Sequence, residues 1–404
     1  MTHDLLPREL ALKGLDGKTI ILVVLDGLGG LPHPDTGKTE LESASIPNLD
    51  TLAAHSSLGM ICPVAEGVTP GSGPGHLSLF GYDPITSIVG RGILSALGVG
   101  FELCPGDVAA RLNLATVDDK GVVIDRRAGR PSDQEGRRLV DKIVGQISPP
   151  DGVEAMFIHE KEHRMALVLR GEGLDAGILD TDPQKIGLKP LPVIAADSAS
   201  TSTVNIVQDL LGQIGDILTD EPSANSVLAR GFAKFSSYWS FEERYGLRAV
   251  ALAKYPMYRG IARLVGMTAE GVPSSNDETV GLLEDCYGGY DFYFLHFKDP
   301  DSMGHDGDFD GKVKAIEAVD AILPRITSLN PDVLIVTGDH STPAIYREHS
   351  WHHVPVLIAS QWTRPSADKF SETSCRGGDL GVFYGKNLMS LALAHAVRLD
   401  KYGA

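Results

Sequence analysis

The sequence predicts an α/β protein, with a mostly parallel sheet flanked by helices and a smaller α+β domain inserted into it. Three observations lead there. Apolar runs rich in β-branched residues recur near both ends of the chain, each is bordered by a polar segment bearing Gly, Asp or His, and the middle third has a different texture. The first run, residues 19–25 (TIILVVL), is apolar throughout after its opening threonine and ends at Asp26 and Gly27. That is how a strand covered on both faces reads. Similar runs follow at Phe292–Phe297, Val333–Thr337 and Val354–Ala359. Between them, residues 311–326 place Val313, Ile316, Val319, Asp320 and Leu323 near helical spacing. Strands alternating with helices make an open sheet with helices on both faces. Ligands of such sheets sit beyond the carboxyl ends of the strands.

The middle of the chain, from Asp107 to about Gly231, carries shorter apolar alternations (AARLNLATV, MALVLR) broken by turns such as DRRAGR at 125–130. Residues 174–192 are turn-rich, and Glu221, Pro222 and Ser223 read as a linker. The expected organisation is a core of 1–106 and 234–404 with an inserted substrate-binding lid at 107–233.

Composition narrows the function. The 404 residues are 43% apolar and 22% charged, ordinary values for a globular chain of about two domains. With 36 basic and 53 acidic residues the net charge is −17, which repels phosphate backbones and argues against nucleic acid as a partner. The apolar run at 20–25 is far shorter than the ~20 residues a bilayer requires, so no membrane partner is expected. Residues 1–19 hold acids and a proline without a long apolar segment, unlike a secretory signal. Cys62, Cys104, Cys286 and Cys375 are scattered without a CxxC pair, as reduced thiols of a cytoplasmic protein are. A small-molecule substrate is expected; the oligomeric state is not legible.

Acids and histidines gather where strands end. Asp26 follows the first run, Asp301 and His305 lie in KDPDSMGHDGD, Asp339 and His340 follow LIVTG, and His349, His352 and His353 precede VPVLIA. Singly, an Asp after a strand is a common helix N-cap and a histidine a common structural residue. Together they are the donor set of divalent first-row metals, and two such ions suit phosphoryl transfer. A nucleophile is offered by GVTPGSGPGH at 67–76, where Ser72 stands in a glycine-rich loop that runs into an apolar segment. The loop lacks the Gly-Lys-Ser/Thr ending of a Walker loop and the GxSxG of a hydrolase elbow. A turn with an N-cap is the alternative reading.

As a set, these motifs resemble the cofactor-independent phosphoglycerate mutases of the archaeal type, within the alkaline phosphatase superfamily. The resemblance rests on VVLDGLGG, TELESASIPNLD, TPGSGPGHLSLFGYDP with its following Gly-Arg-Gly, KDPDSMGHDGD, TGDHSTP and EHSWHHVPV, in family order over nearly the whole chain. It implies that Ser72 is the nucleophile that becomes phosphorylated. It also implies one metal held by Asp26, Ser72, Asp339 and His340 and another by Asp301, His305 and His349, with His349 preferred to His352 or His353. The ions implied are two Mn²⁺, with Mg²⁺, Co²⁺ or Zn²⁺ also compatible with such donors. Arg91 resembles a phosphate-side arginine and Lys254 a lysine that helps neutralise the phosphoryl group. Arg127, Arg130, His163, Arg164 and Arg230 are candidates for binding substrate in the insert. The sequence departs from the family at Gly73, at residues 93–96 and at His353, none of them a proposed ligand. The implied activity is interconversion of 3-phosphoglycerate and 2-phosphoglycerate through a phosphoserine. A metal-dependent phosphatase or another phosphomutase is the alternative; a non-catalytic phosphosugar-binding relative would not need Ser72.

Overall fold

The computed structural model describes residues 6–14, 17–87 and 89–403. The chain forms two compact units, Met1–Ile88 with Trp239–Ala404, and Val89–Tyr238. Two strands come first, β1 (Ile20–Leu25) and β2 (Ser57–Cys62). Five strands belong to the second unit: β3 (Val108–Val117), β4 (Val123–Asp125), β5 (Val153–Lys161), β6 (Arg164–Gly171) and β7 (Ser226–Lys234). The first unit resumes with β8 (Ala249–Ala253), β9 (Thr268–Ala269), β10 (Phe292–Phe297), β11 (Val333–Thr337), β12 (Val354–Ala359) and β13 (Gly381–Tyr384).

In the first unit the strand order is β13-β2-β12-β11-β1-β10-β8-β9. Central β1 is parallel to both β10 and β11, and all six of its side chains are fully buried, which is why its sequence shows no polar alternation. The helix Phe309–Thr327 is capped by Asp308, whose side chain accepts from the Gly311 N–H. Its Ile316, Val319, Leu323 and Ile326 join Ile21, Val23 and Leu25 of β1 in one core. Asp320, on the same helix, is buried for a different reason: its carboxylate accepts from the Leu49 N–H at 2.7 Å, at the start of the helix Pro47–Ala53. Strand β2 lacks the long apolar signature because it carries Gly59 where its parallel neighbour β13 begins and the two backbones approach closely. A Cβ on Gly59 would lie 2.7 Å from the Gly381 carbonyl oxygen.

One strand reverses. β12 is antiparallel to both β11 and β2. No helix forms between β11 and β12, and a parallel return needs a long crossover. The reversal has a consequence for function: the residues before β12, His349 among them, share an edge with the residues that follow β1, β10, β11 and β2.

The second unit is an antiparallel sheet in which β3 lies between β6 and β7, with β5 on the far side of β6 and β4 pairing the end of β3. The helices Asp133–Val144 and Thr201–Ile217 bury Leu139, Ile143, Val207, Leu210 and Ile214 against Leu112, Leu114, Leu167 and Leu169 of this sheet. The helix Arg91–Gly98 also packs on β3, where Arg111 Nε donates to Ser95 Oγ at 2.7 Å. For that reason the unit starts at Val89, ahead of the Asp107 boundary expected from composition, and ends at Tyr238. The expected linker at 221–223 is instead an internal turn of this unit. Glu221 is held there by Arg138 and Lys142, each at 2.7 Å. Among the described residues, no helix is long and apolar enough to cross a membrane.

Candidate active site

His340, just past β11, is the meeting point of the first unit's polar edge. Its Nε2 lies 3.2 Å from Asp26 Oδ1, 3.2 Å from Asp339 Oδ2 and 3.3 Å from Ser72 Oγ. Its Nδ1 lies 3.0 Å from Thr342 Oγ1, and that hydroxyl donates to Asp301 Oδ1 at 2.7 Å. A hydroxyl already donating to Asp301 accepts from His340, so the imidazole carries its proton on Nδ1 and aims the Nε2 lone pair inward. The other two candidate histidines follow the same pattern. His349 Nδ1 is 2.8 Å from the Pro70 carbonyl and His305 Nδ1 is 3.2 Å from that of Arg347. Their Nε2 atoms approach Asp301 Oδ1 at 3.6 and 3.5 Å.

A lone pair facing carboxylates needs positive charge between them. Among the described residues, buried Asp26 Oδ1 and Asp339 Oδ2 face imidazole nitrogens alone and are otherwise without a hydrogen-bond partner. Burial lowers the His340 pKa, but the charge of Asp339 and then the hydrogen bond and charge of Asp26 more than reverse it, so the pocket favours positive charge at this imidazole. The donor atoms fall into two groups that could hold a metal, Asp26 with Asp339 and His340, and Asp301 with His340 and His349. Ser72 stands beside the first. His305, more exposed, stands beside Asp301. Oxygen and imidazole donors at these separations suit divalent cations, so the residues present fit the implied metals.

Ser72 is the first residue of the helix Ser72–Leu79, reached from β2 through a short loop. The helix lies directly on the Asp339 backbone: a Cβ on Gly75 would come within 2.5 Å of the Asp339 carbonyl oxygen. One turn on, buried His76 places Nδ1 2.8 Å from the Ser72 carbonyl and 3.1 Å from Asp339 Oδ2. Glycine and histidine at those two positions therefore register the serine against β11.

The lysine that reaches this cluster is Lys298. Its Nζ lies 2.9 Å from Asp26 Oδ2 and also contacts Asp301 Oδ2. Burial lowers its pKa, yet the two carboxylates raise it further, so it stays charged; they in turn are held below the ordinary carboxylate range, burial notwithstanding. Lys254 is exposed and donates to the Ser274 carbonyl at 2.8 Å. From the same segment it is Tyr258 that turns inward, its hydroxyl donating to Asp26 Oδ2 and its ring stacked on His296 at 3.7 Å. Lys298 stands in the KDPDSMGHDGD motif and could have been found there; no local signal marks Tyr258 or His296.

The remaining candidates lie in the second unit. Arg111 of β3 pairs directly with Arg230 of β7, and Arg164 of β6 sits opposite Asn113, two residues along β3. Two-residue periodicity puts these arginines on one face. Arg91 has its pKa lowered by burial and then by Arg230 and Arg111, the mark of crowded like charges. Arg230 is balanced by Asp180 and Asp182 at 3.6 and 3.4 Å, and Arg111 by Glu160 at 3.2 Å. Arg127 and Arg130 project from a turn in which Asp125 accepts from the Arg127 and Gly129 N–H groups, both at 2.7 Å. Neither has an ion-pair partner among the described residues. Burial, followed by Arg164, Arg127 and Arg130, holds the pKa of His163 down at about 4. The insert's candidate arginines thus gather, with Arg91 and Arg111 among them, around a His163 that burial and their charge keep neutral.

Known proteins supply the context for these two charge clusters. The family model for 2,3-bisphosphoglycerate-independent phosphoglycerate mutase matches residues 53–224. A protein of Thermus thermophilus named "Probable 2,3-bisphosphoglycerate-independent phosphoglycerate mutase" is 50% identical, covering 99% of this chain and 100% of its own. This chain belongs to that mutase family. It is accordingly an isomerase, an intramolecular phosphotransferase. Solved structures agree with the assignment. The cofactor-independent phosphoglycerate mutase of Thermoplasma acidophilum superposes with a TM-score of 0.70 at 30% identity, over 94% of this chain and 100% of its own. PH0037 of Pyrococcus horikoshii superposes with a TM-score of 0.81 at 28% identity, over 96% and 100%. Because the family likeness spans both units, the serine-carboxylate cluster and the arginine cluster belong to one enzyme.

Proposed function

We propose that the enzyme interconverts 3-phosphoglycerate and 2-phosphoglycerate through a phosphoserine formed on Ser72. The observation that carries this is the convergence of Ser72 Oγ, Asp26 Oδ1 and Asp339 Oδ2 on His340 Nε2, within 3.3 Å, in a chain of this family. Asp26, Ser72, Asp339 and His340 would hold one divalent cation, and Asp301, His305 and His349 a second, with Mn²⁺ the favoured ion. Bound there, cations lower the pKa of a serine hydroxyl and offset phosphoryl charge.

The chain's own residues do the rest. Ser72 Oγ forms a bond to phosphorus as the bond from phosphorus to the glycerate oxygen breaks, and the proton lost by the serine replaces the phosphoryl group on glycerate. The free hydroxyl at the other position then attacks the phosphoserine, returning the serine oxygen to its starting state. Gly75 and His76 keep Ser72 in place through both halves, and the Lys298 ammonium adds fixed positive charge beside Asp26 and Asp301. Arg91, Arg127, Arg130, Arg164, Arg230 and His163 would hold the substrate's anionic groups and retain glycerate between the two transfers. Retention at high effective molarity is what favours return of the phosphoryl group over its loss to water.

The test is conversion of 3-phosphoglycerate by Mn²⁺-loaded protein with no 2,3-bisphosphoglycerate added. The expected product is 2-phosphoglycerate, with rapid-quench mass analysis placing one phosphate on Ser72. Inorganic phosphate as the main product would replace the mutase reading with a hydrolase.

A further inference from the structure

Where β2 ends and β12 begins, a second set of ligand-type side chains meets, sharing no residue with the cluster around His340. Val354 pairs with Ile61 in the antiparallel ladder. Continuing that register by one residue sets His353 opposite Cys62, with side chains on one face. Glu66, four residues beyond Cys62, completes the group. The Cys62 sulfur, a Glu66 carboxylate oxygen and a His353 ring nitrogen all lie within 4.8 Å of one another. Glu66 Oε2 and His353 Nε2 are 3.0 Å apart. Cys62 is a free thiol, 2% exposed, whereas the side chains of His353 and Glu66 are 28% and 65% exposed. The group therefore has a buried sulfur floor and a rim open to solvent, through which an ion can enter.

We propose that Cys62, Glu66 and His353 form a separate site for a borderline-soft divalent cation of the Zn²⁺ or Co²⁺ type. The sulfur distinguishes it chemically. The His340 cluster offers only oxygen and nitrogen donors, whereas a thiolate with imidazole and carboxylate favours zinc-like ions over Mg²⁺ or Ca²⁺. On binding, the thiol proton passes to solvent and the sulfur bonds to the ion, with water completing the coordination shell. Position gives the site a structural consequence. Glu66 lies on the loop that leads to Ser72, and His353 follows His349 on the approach to β12. A shared ion would clasp the nucleophile loop to the segment that carries His349, reinforcing the contact between His349 Nδ1 and the Pro70 carbonyl.

A thiolate bound to Co²⁺ gives a near-ultraviolet charge-transfer band that oxygen and nitrogen ligands do not. The readout is therefore independent of whether the His340 cluster binds metal or the enzyme is active. Full-length protein carrying Cys104→Ser, to silence the exposed thiol, is titrated with Co²⁺. The expected result is a band that saturates at one thiolate-bound cobalt per chain and is removed by added Zn²⁺. It should vanish in Cys62→Ser and weaken by about tenfold or more in affinity in His353→Ala and Glu66→Gln, the latter pair being surface changes that leave the fold in place. Absence of the band, or a band unchanged by His353→Ala, would overturn the proposal.

Discussion

In the first unit Asp26, Asp301 and Asp339 are at most 2% exposed and face a buried imidazole, whereas in the second Arg127 and Arg130 stand in solvent on a turn. Both regions concentrate charge of one sign, but burial changes what that costs. Buried carboxylates must be compensated within the fold, here by Lys298, by a proton on His340 or by a cation. Exposed guanidiniums are compensated by water and salt, so they can remain unpaired until an anion arrives. The first region should therefore respond steeply to loss of a single atom or ion, and the second in gradual steps.

The largest expected effect is that of Ser72→Ala. Removing one oxygen should lower conversion of 3-phosphoglycerate by at least ~10³-fold, as loss of a nucleophile does, while the thermal midpoint stays close to that of the parent. A variant with ordinary turnover would leave Ser72 as no more than the opening residue of its helix.

Next come the cation and the carboxylates that would hold it. Chelation should abolish activity and Mn²⁺ restore it, and Asp339→Asn should cost ~100-fold or more in cation affinity, measured by calorimetry. Cation and proton compete for His340 Nε2, whose pKa is raised, so affinity should fall as the pH drops through that raised value. Affinity that does not vary with pH would separate His340 from the ion. Gly75→Ala belongs to the same region: its Cβ cannot approach the Asp339 carbonyl to 2.5 Å, so the helix must shift, with a destabilisation of ~1–3 kcal/mol by denaturant titration and a loss of turnover.

Arg130→Ala should behave differently. Removing an exposed, unpaired guanidinium should weaken substrate binding by about tenfold, in the range expected of a charged contact, and leave Mn²⁺ affinity unchanged. A larger share of inorganic phosphate among the products would add that Arg130 helps retain glycerate. Equal loss of cation affinity would erase the distinction between the two regions.

The smallest effect is a pH dependence of the second unit. His163 is held neutral in the fold, with a pKa of about 4 against an ordinary 6.5. Between those values the unfolded chain binds more protons, so stability should fall as pH drops from 6.5 towards 4 and show no contribution from His163 above that window. Arg127→Ala and Arg130→Ala each remove a positive neighbour and should raise this pKa in an NMR titration, narrowing the window.

How these residues were legible differs in the same way. Asp26, Asp301, Asp339 and His340 each follow a run apolar enough to declare itself a buried strand, so their place at a sheet edge could be read locally. His349 could not be placed that way. It precedes its strand, and only the antiparallel direction of β12 brings it to the shared edge. Lys254 has the charge the site needs, but the folded chain brings Lys298 to Asp26 and turns Tyr258 inward. Likewise Arg111 stands on the polar phase of β3, yet its contact with Arg230 depends on pairing with a strand more than a hundred residues away.

By itself, then, the sequence determined the α/β class, the strands β1, β10, β11 and β12 of the central sheet, and the stock of carboxylates, imidazoles and one loop serine at their ends. These follow from burial periodicity and residue chemistry, which act over a few neighbouring positions. Tertiary structure alone decided the direction of β12, the seating of Gly75 on Asp339, the inward Nε2 of three histidines and the lysine beside Asp26. Each of those depends on which distant segment covers which, a matter of packing between surfaces that no local pattern records.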